Sequence, residues 1–427
     1  MTMIQLLILA DDFTGGLDTG VQFAEKGIRT RVVTNPEADF ELSAQGCQVL
    51  VVVAETRHLS KEQAYKIVYG IVKKGAQLGI PHIYKKTDSA LRGNIGAELT
   101  AALDASGAKT LYFLPAMPGL NRVTENGVHY IDGVPAAESV FGKDPFEPVR
   151  KSSVAELISL QSNVAACSAR PDSIPEAKGI VIVDAQSDAD VRHAGKLIKE
   201  RNGLRVTAGC AGFAAALPAL LGLQKKEEKC AQPLLTGGLF VLCGSVNPIT
   251  QQQLSFGEQH GFTRRHIQPE EKLRLDYFDT QAGRDTLAAW RRASREEHWM
   301  ILDANDSRDD NLESAAYAAE HGLSTEDVRQ RVSGVLGRIL PELLSGLRDR
   351  NLLITGGDTL LQCMNAMRVW DMEPLTEVFP GVVLSRFQAE GAARYVITKS
   401  GGFGETTLLC DLKKLIEEQA LNSGETA

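Results

Sequence analysis

Three stretches in the first half of the chain carry residue types that could bind a small polar molecule and act on it. The first is Ala10-Asp11-Asp12-Phe13-Thr14-Gly15-Gly16, with Asp18 just beyond. Two adjacent carboxylates before a double glycine could hold a polyol's hydroxyls or a metal. Equally, Asp12 or Thr14 could cap the helix that follows, leaving Asp11 solvated. The second runs from Lys85 to Asn94, KKTDSALRGN. Lys86, Thr87, Asp88, Ser89 and Arg92 crowd a single turn there. An arginine grips a carboxylate with two parallel hydrogen bonds, and a lysine adds a compact positive charge. Asp88 could accept a hydroxyl or act as a general base. Charged helix entrances are common, but this mixture is costly to arrange without use. Arg57, in Ala54-Glu55-Thr56-Arg57-His58, closes the apolar run between these two stretches and could reach the same crevice; His58 reads as a surface or capping residue. The third is Pro115-Ala116-Met117-Pro118-Gly119-Leu120-Asn121-Arg122. It could be a lid that carries Asn121 and Arg122 to a ligand, or a loop whose prolines only set its geometry.

The second half repeats a different device. Val241–Pro248 (VLCGSVNP), Leu353–Thr359 (LITGGDT) and Lys399–Thr406 (KSGGFGET) each read as an apolar strand, a glycine turn and a helix. Glycine lets a backbone approach a phosphate and turn its N–H groups inward. One such turn is weak evidence; three in one domain point to a nucleotide site. None is a GxxxxGK[ST] loop or a GxGxxG fingerprint with an acidic residue about twenty positions on. No HExxH is present, and Ser245 lacks the GxSxG elbow of a hydrolase.

These residues need elements to position them. Short apolar runs alternate with segments of helical period, the pattern of βαβ units. Strands are expected at 4–10, 48–54, 82–85 and 110–114, with helices at 17–26, 61–74 and 95–105. A long irregular stretch, about 115–175, reads as functional loop, lid or disorder. The rhythm returns at 179–184 and continues to about 223. In the second half, strands are expected at 239–243, 299–303, 351–355 and 395–398, with helices at 249–259, 316–347 and 359–367. In α/β sheets of this kind, ligands bind beyond the carboxyl ends of the strands. The fold class is therefore α/β, with two domains built on mainly parallel sheets. The charged, Pro- and Gly-containing segment 224–238 separates them. It gives a first domain over 1–228, a linker over 229–238 and a second domain over 239–427.

The bulk numbers agree. A chain of 427 residues with 43% hydrophobic and 23% charged residues can fill two cores. A net charge of -8 offers no basic face for nucleic acid. Seven scattered cysteines without a CxxC pair suit a reducing compartment. No basic leader or membrane-spanning run is evident, so the expected location is cytoplasmic, without membrane or nucleic-acid partners.

Taken in order, ADDFTGGLDTG (10–20), KKTDSALRGN (85–94), PAMPGLNRVTENGVHYIDGVP (115–135), LCGSVNPIT (242–250), ITGGDT (354–359) and KSGGFGE (399–405) resemble the four-carbon acid sugar kinase family, long known only as a domain of unknown function. The resemblance implies an N-terminal sugar-acid domain, a C-terminal nucleotide domain, and ATP-dependent phosphorylation of a terminal (C4) hydroxyl. It implies D-threonate as first choice of acceptor, giving 4-phospho-D-threonate, with D-erythronate, L-threonate and 3-oxo-tetronates as alternatives. It places Asp11, Asp12, Arg57, Lys86, Thr87, Asp88, Ser89, Arg92 and Asn121 at the sugar acid. It places Ser245, Gly356, Gly357, Asp358, Thr359, Gly401, Gly402, Phe403 and Gly404 at ATP.

On this reading Arg57, Lys86 and Arg92 anchor the substrate carboxylate while Asp11 and Asp12 hold its hydroxyls. Mg²⁺ bridges the phosphates, and Asp358 or Asp88 takes the hydroxyl proton. A homodimer is compatible with such an enzyme. Two rivals remain: a non-catalytic nucleotide-responsive sensor of sugar acids, which ATP turnover would separate, and a dehydrogenase, which nicotinamide binding would separate.

Overall fold

The computed structural model describes residues 4–144, 146–225, 233–307, 311–347, 349–389 and 391–423. It divides into two compact units, Met1–Lys229 and Cys230–Ala427. Residues 229–232 of the expected linker lie outside the described residues.

The first unit contains β1 (Leu6–Ala10), β2 (Thr30–Val33), β3 (Val49–Val53), β4 (His82–Lys86) and β5 (Thr110–Leu114). Next come β6 (Arg122–Glu125), β7 (Val128–Ile131) and β8 (Val134–Pro135). The last three are β9 (Ala166–Ala169), β10 (Gly179–Val183) and β11 (Val206–Gly209). Eight of them form a parallel sheet in the order β2-β3-β1-β4-β11-β5-β10-β9. β1, β3 and β10 are buried at every position, as expected where helices cover both faces. The helices Phe13–Ala24, Lys61–Gln77 and Ile95–Ser106 follow β1, β3 and β4. The chain leaves β1 toward β2 and β3, then returns to place β4 on the other side of β1. That reversal opens a crevice at the carboxyl ends of β1, β3 and β4.

The stretch 115–175 is neither a disordered segment nor a bare loop. β6, β7 and β8 form a small antiparallel sheet, the helix Val154–Ser159 follows, and β9 joins the main sheet. Sequence patterning missed it because these strands are short and carry polar residues on their buried face. Arg122, Thr124 and His129 are all buried. The helix after β1 also begins earlier than expected, at Phe13, because Asp12 caps it.

The second unit has β12 (Gly238–Cys243), β13 (Thr263–His266), β14 (Trp299–Asp303) and β15 (Arg350–Thr355). It is completed by β16 (Asp371–Phe379), β17 (Val382–Ala389) and β18 (Ala392–Lys399). The order is β13-β14-β12-β15-β18-β17-β16, parallel from β13 to β18, with β17 and β16 antiparallel additions. β16 and β17 were not expected: β16 alternates half-buried positions and carries Pro374 and two register shifts. The helix expected at 316–347 is two helices, Leu312–Glu320 and Thr325–Leu343. Gly322 in the left-handed region ends the first, and Ser324 with Asp327 forms a capping box that starts the second. No helix among the described residues is long and apolar enough to cross a membrane.

Candidate functional site

In the first unit the turn after β1 is shaped by Asp12. Its Oδ1 accepts the N–H of Gly15 at 3.1 Å, and its Oδ2 accepts the Thr14 hydroxyl at 2.8 Å. The capping role therefore holds. Asp12 Oδ1 also accepts from Arg57 Nη2 at 2.8 Å, so it serves the crevice as well. Arg57, arriving from the end of β3, donates Nε to Asp11 Oδ2 at 2.7 Å and lies 3.7 Å from Asp88. Burial alone would raise Asp11, but Arg57, Lys85 and Lys86 reverse it and hold its carboxyl below the usual range. The need for glycine at position 15 is one of space. A Cβ on Gly15 would stand 2.4 Å from Asp12 Oδ1 and 2.8 Å from Lys86 Nζ.

The turn after β4 is held from several sides. Arg92 binds Asp88 with two parallel hydrogen bonds, Nε to Oδ2 at 2.9 Å and Nη2 to Oδ1 at 3.0 Å. The N–H groups of Ala90 and Arg92 also donate to Asp88 Oδ2. Burial works against the Asp88 charge, yet Arg92, Arg57 and Arg122 hold its carboxyl well below the ordinary value. A carboxylate so held is a poor proton acceptor, which removes the support for Asp88 as general base. Within this turn Leu91 sits at φ 68°, a costly backbone for a branched residue that the surrounding bonds must maintain.

Lys86 is 3% exposed and, among the described residues, has no ion-pair partner. Its neighbour Lys85 points the other way, into a fully buried pair with Glu98 at 2.8 Å. Asp11 Oδ1 and Thr87 Oγ1 are buried without a hydrogen-bond partner among the described residues. Such orphans call for an explanation, and a bound water or ligand is the usual one.

The small sheet supplies residues the sequence reading underweighted. Arg122 Nη1 donates to the Ser89 hydroxyl, and Phe141 lies beneath both Arg92 and Arg122, 5.1 and 5.2 Å from their guanidinium carbons. Buried His129 donates Nε2–H to the Ser89 carbonyl at 2.9 Å, so Nδ1 is the acceptor for the Thr124 hydroxyl at 3.0 Å. Burial lowers His129 to about 4, so it stays neutral. Asn121, by contrast, is exposed at φ 52° in the turn before β6. The structure does not bring it into this cluster; Arg122, one residue on, takes that place. Alternation along β6 was the available signal.

In the second unit the three glycine turns follow the neighbouring strands β12, β15 and β18, and they meet. A Cβ on Gly244 would stand 2.1 Å from Thr359 Oγ1, and one on Gly401 would stand 2.5 Å from Ser245 Oγ and 2.9 Å from Asn247 Cβ. Gly356, at φ 104°, has Ser245 N within 3.7 Å of its Cβ position. Ser245, Gly356, Gly357, Thr359, Gly401, Gly402, Phe403 and Gly404 thus belong to one group of loops. Asp358 lies in the first turn of the helix Gly357–Ala366, with Oδ2 2.5 Å from Arg329 Nη1. A supporting network was missed. Asn305 donates Nδ2–H to the Ser245 carbonyl at 3.1 Å and to Asp303 Oδ1 at 2.8 Å, and Arg264 pairs with Asp303 at 2.6 Å. Asp303 ends the apolar strand β14 and Asn305 follows it, the place where sequence reasoning sought the others, while Arg264 reaches them from β13.

Comparison with known proteins gives the same division. A model described as a sugar-binding N-terminal domain matches residues 6–217, and one described as a nucleotide-binding C-terminal domain matches 240–409. A D-threonate kinase of Salmonella typhimurium strain LT2 is 30% identical over 432 residues, covering 97% of this chain and 99% of that protein. A D-erythronate kinase of Heliobacterium modesticaldum is 27% identical, covering 96% of each. A crystal structure from Salmonella typhimurium LT2 shares the fold with a TM-score of 0.74 and 21% identity, over 95% of this chain and 98% of that one. With a sugar-binding domain, a nucleotide-binding domain and a full-length match at this identity, the chain belongs to the four-carbon acid sugar kinase family of ATP-dependent phosphotransferases.

Proposed function

We propose that this enzyme phosphorylates D-threonate at its terminal hydroxyl, giving 4-phospho-D-threonate. The reading rests first on Lys86: a nearly buried ammonium without an ion-pair partner among the described residues, beside Asp11 and Asp12 at the carboxyl end of β1. Lys86 is the anchor for the substrate carboxylate. Arg57 and Arg92 are already engaged with Asp11, Asp12 and Asp88. Their role shifts from gripping the substrate to fixing those carboxylates. Asp11, Asp12, Thr87 and Ser89 then accept or donate to the acid's hydroxyls, and the orphaned Asp11 Oδ1 and Thr87 Oγ1 support this. Asn121 is not needed.

The loops at Ser245, Gly356–Thr359 and Gly401–Gly404 hold ATP. Phosphoryl transfer asks chiefly for positioning and charge neutralisation. Mg²⁺ fits here as an ion carried on the phosphates, because it ordinarily takes one or two carboxylates beside phosphate oxygens, and these loops offer Asp358. When bound it would neutralise phosphate charge. Asp358 is also our candidate for the group that accepts the hydroxyl proton: a single arginine, Arg329, pairs with one of its oxygens, whereas Arg92, Arg57 and Arg122 together hold Asp88 well below the ordinary carboxylate range and so weaken it as a base. The six described cysteines are free, which supports a cytoplasmic setting.

The deciding experiment is a coupled ADP-release assay with ATP and Mg²⁺ against D-threonate, L-threonate, D-erythronate, L-erythronate and 3-oxo-tetronates. Selective turnover of D-threonate is expected. Preference for another acid replaces the substrate and keeps the site. Silence across the panel, from folded protein that binds ATP, overturns the reading in favour of a sensor or another acceptor.

A further inference from the structure

Lys399, the last residue of β18, is 2% exposed. Its ammonium donates to Thr250 Oγ1 at 3.0 Å and to three carbonyls of the loop that follows: Ser400 at 3.1 Å, Gly401 at 3.2 Å and Phe403 at 3.2 Å. Two neutral side chains of the helix Pro248–Gln259 complete the arrangement. Thr250 Oγ1 donates to the Gly401 carbonyl at 2.8 Å, and Gln253 Nε2 donates to the carbonyls of Phe403, Gly404 and Glu405 at 2.9–3.0 Å. Five consecutive or near-consecutive carbonyls are thereby drawn toward one side. A peptide group is planar and trans, so its N–H points opposite to its C=O. The amides of Gly401, Gly402, Gly404 and Glu405 are accordingly turned away from the ammonium. Backbone N–H groups turned to one side of a loop are the groups that bind anions in such turns.

We propose that Lys399 is a positioning residue of the nucleotide site, which gathers the carbonyls of residues 400–403 inward and so presents the loop's N–H groups to the phosphates of ATP. The proposal rests on the reading that this loop belongs to the ATP site. No carboxylate answers the Lys399 charge among the described residues. The titratable group facing it is the Cys243 thiol of β12, which burial keeps neutral. The helix Pro248–Gln259 presents Thr250 and Gln253, and the register partners of Lys399 on β15 and β17 are Thr355 and Val382. None of these titrates. Burial accordingly lowers Lys399 to about 7. A tetraanionic ligand arriving on the far side of the loop favours the protonated form. ATP binding above neutral pH must therefore take up a proton at Lys399 Nζ, drawn from the buffer.

The test is calorimetric titration of the full-length protein with ATP at pH 8 in buffers of different ionisation enthalpy, for wild type and Lys399→Met. Wild type is expected to take up a large fraction of one proton. Lys399→Met is expected to take up none, to bind ATP at least about tenfold more weakly, since charge-assisted hydrogen bonds are lost, and to bind the sugar acid as before. Should Lys399→Met fail to fold, Lys399→Arg, whose charge does not titrate in this range, takes its place; proton uptake and ATP affinity both equal to wild type in that variant overturn the proposal. Hydrogen exchange separates this from the site reading. If ATP protects the amides of 400–405 yet Lys399→Met keeps wild-type affinity, Lys399 has no such role. If ATP leaves those amides unprotected, the loop is not the site and the proposal falls with it.

Discussion

Arg92→Met is the perturbation that tests the turn after β4 most directly. The side chain is replaced by one of similar length, and both bonds to Asp88, at 2.9 and 3.0 Å, are lost together with that to Asp144 at 3.2 Å. Asp88 remains, with a side chain 7% exposed and Arg57 at 3.7 Å as its nearest compensating charge. Removing one partner of a buried pair costs about 3–5 kcal/mol, because the other charge is left behind. Against a domain stability of about 5–15 kcal/mol, that is a large share. Urea unfolding of the full-length protein reads the loss.

The acid limb gives an independent sign. Asp88 is held below its unfolded value, so its contribution is present above about pH 4 and disappears as pH falls through the folded value. Arg92→Met lets that folded value rise, so acid unfolding must begin at higher pH. Arg92→Lys keeps a charge but not the fork and should fall between. The turn also carries Ser89, so KM for the sugar acid should rise while KM for ATP does not. A stability loss below about 1 kcal/mol with an unmoved acid midpoint would refute the pair as the clamp of this turn.

Three further outcomes follow from the same geometry. Asp358→Asn should lower kcat by roughly 10²–10⁴-fold, the usual worth of a general base, with ATP still bound; near-normal kcat in single-turnover assays removes Asp358 from that role. Lys86→Met should raise KM for the acid at least about tenfold, a lost charge-assisted contact, and an unchanged KM places the carboxylate elsewhere. His129, lowered to about 4 by burial, stays neutral while the unfolded chain protonates near 6.5. Stability should therefore decline from about pH 6.5 toward pH 4, by up to about 3 kcal/mol for this one group. His129→Gln should flatten that decline, as measured by unfolding at several pH values; an identical slope in both proteins would mean that His129 is solvated.

The sequence by itself determined the local parts. Apolar runs such as LLILA and VLVVV must be buried strands, and the residues just beyond them must sit at strand ends, because burial and turn chemistry act over a few neighbours. Asp12 as a cap, the glycine turns and the α/β class were legible for that reason. Which strand ends become neighbours was not. Arg57 meets Asp11 across 46 positions, and Lys399 meets Thr250 across 149, only because β3 lies beside β1 and β18 completes the sheet near β12. Strand order is a non-local choice with no trace in composition or period. The same holds for charge. The sequence shows two lysines at 85 and 86, but pleating sends one to Glu98 and the other to the crevice. Only the fold could decide that Asp88 stays ionised between arginines while Lys86 has no ion-pair partner among the described residues.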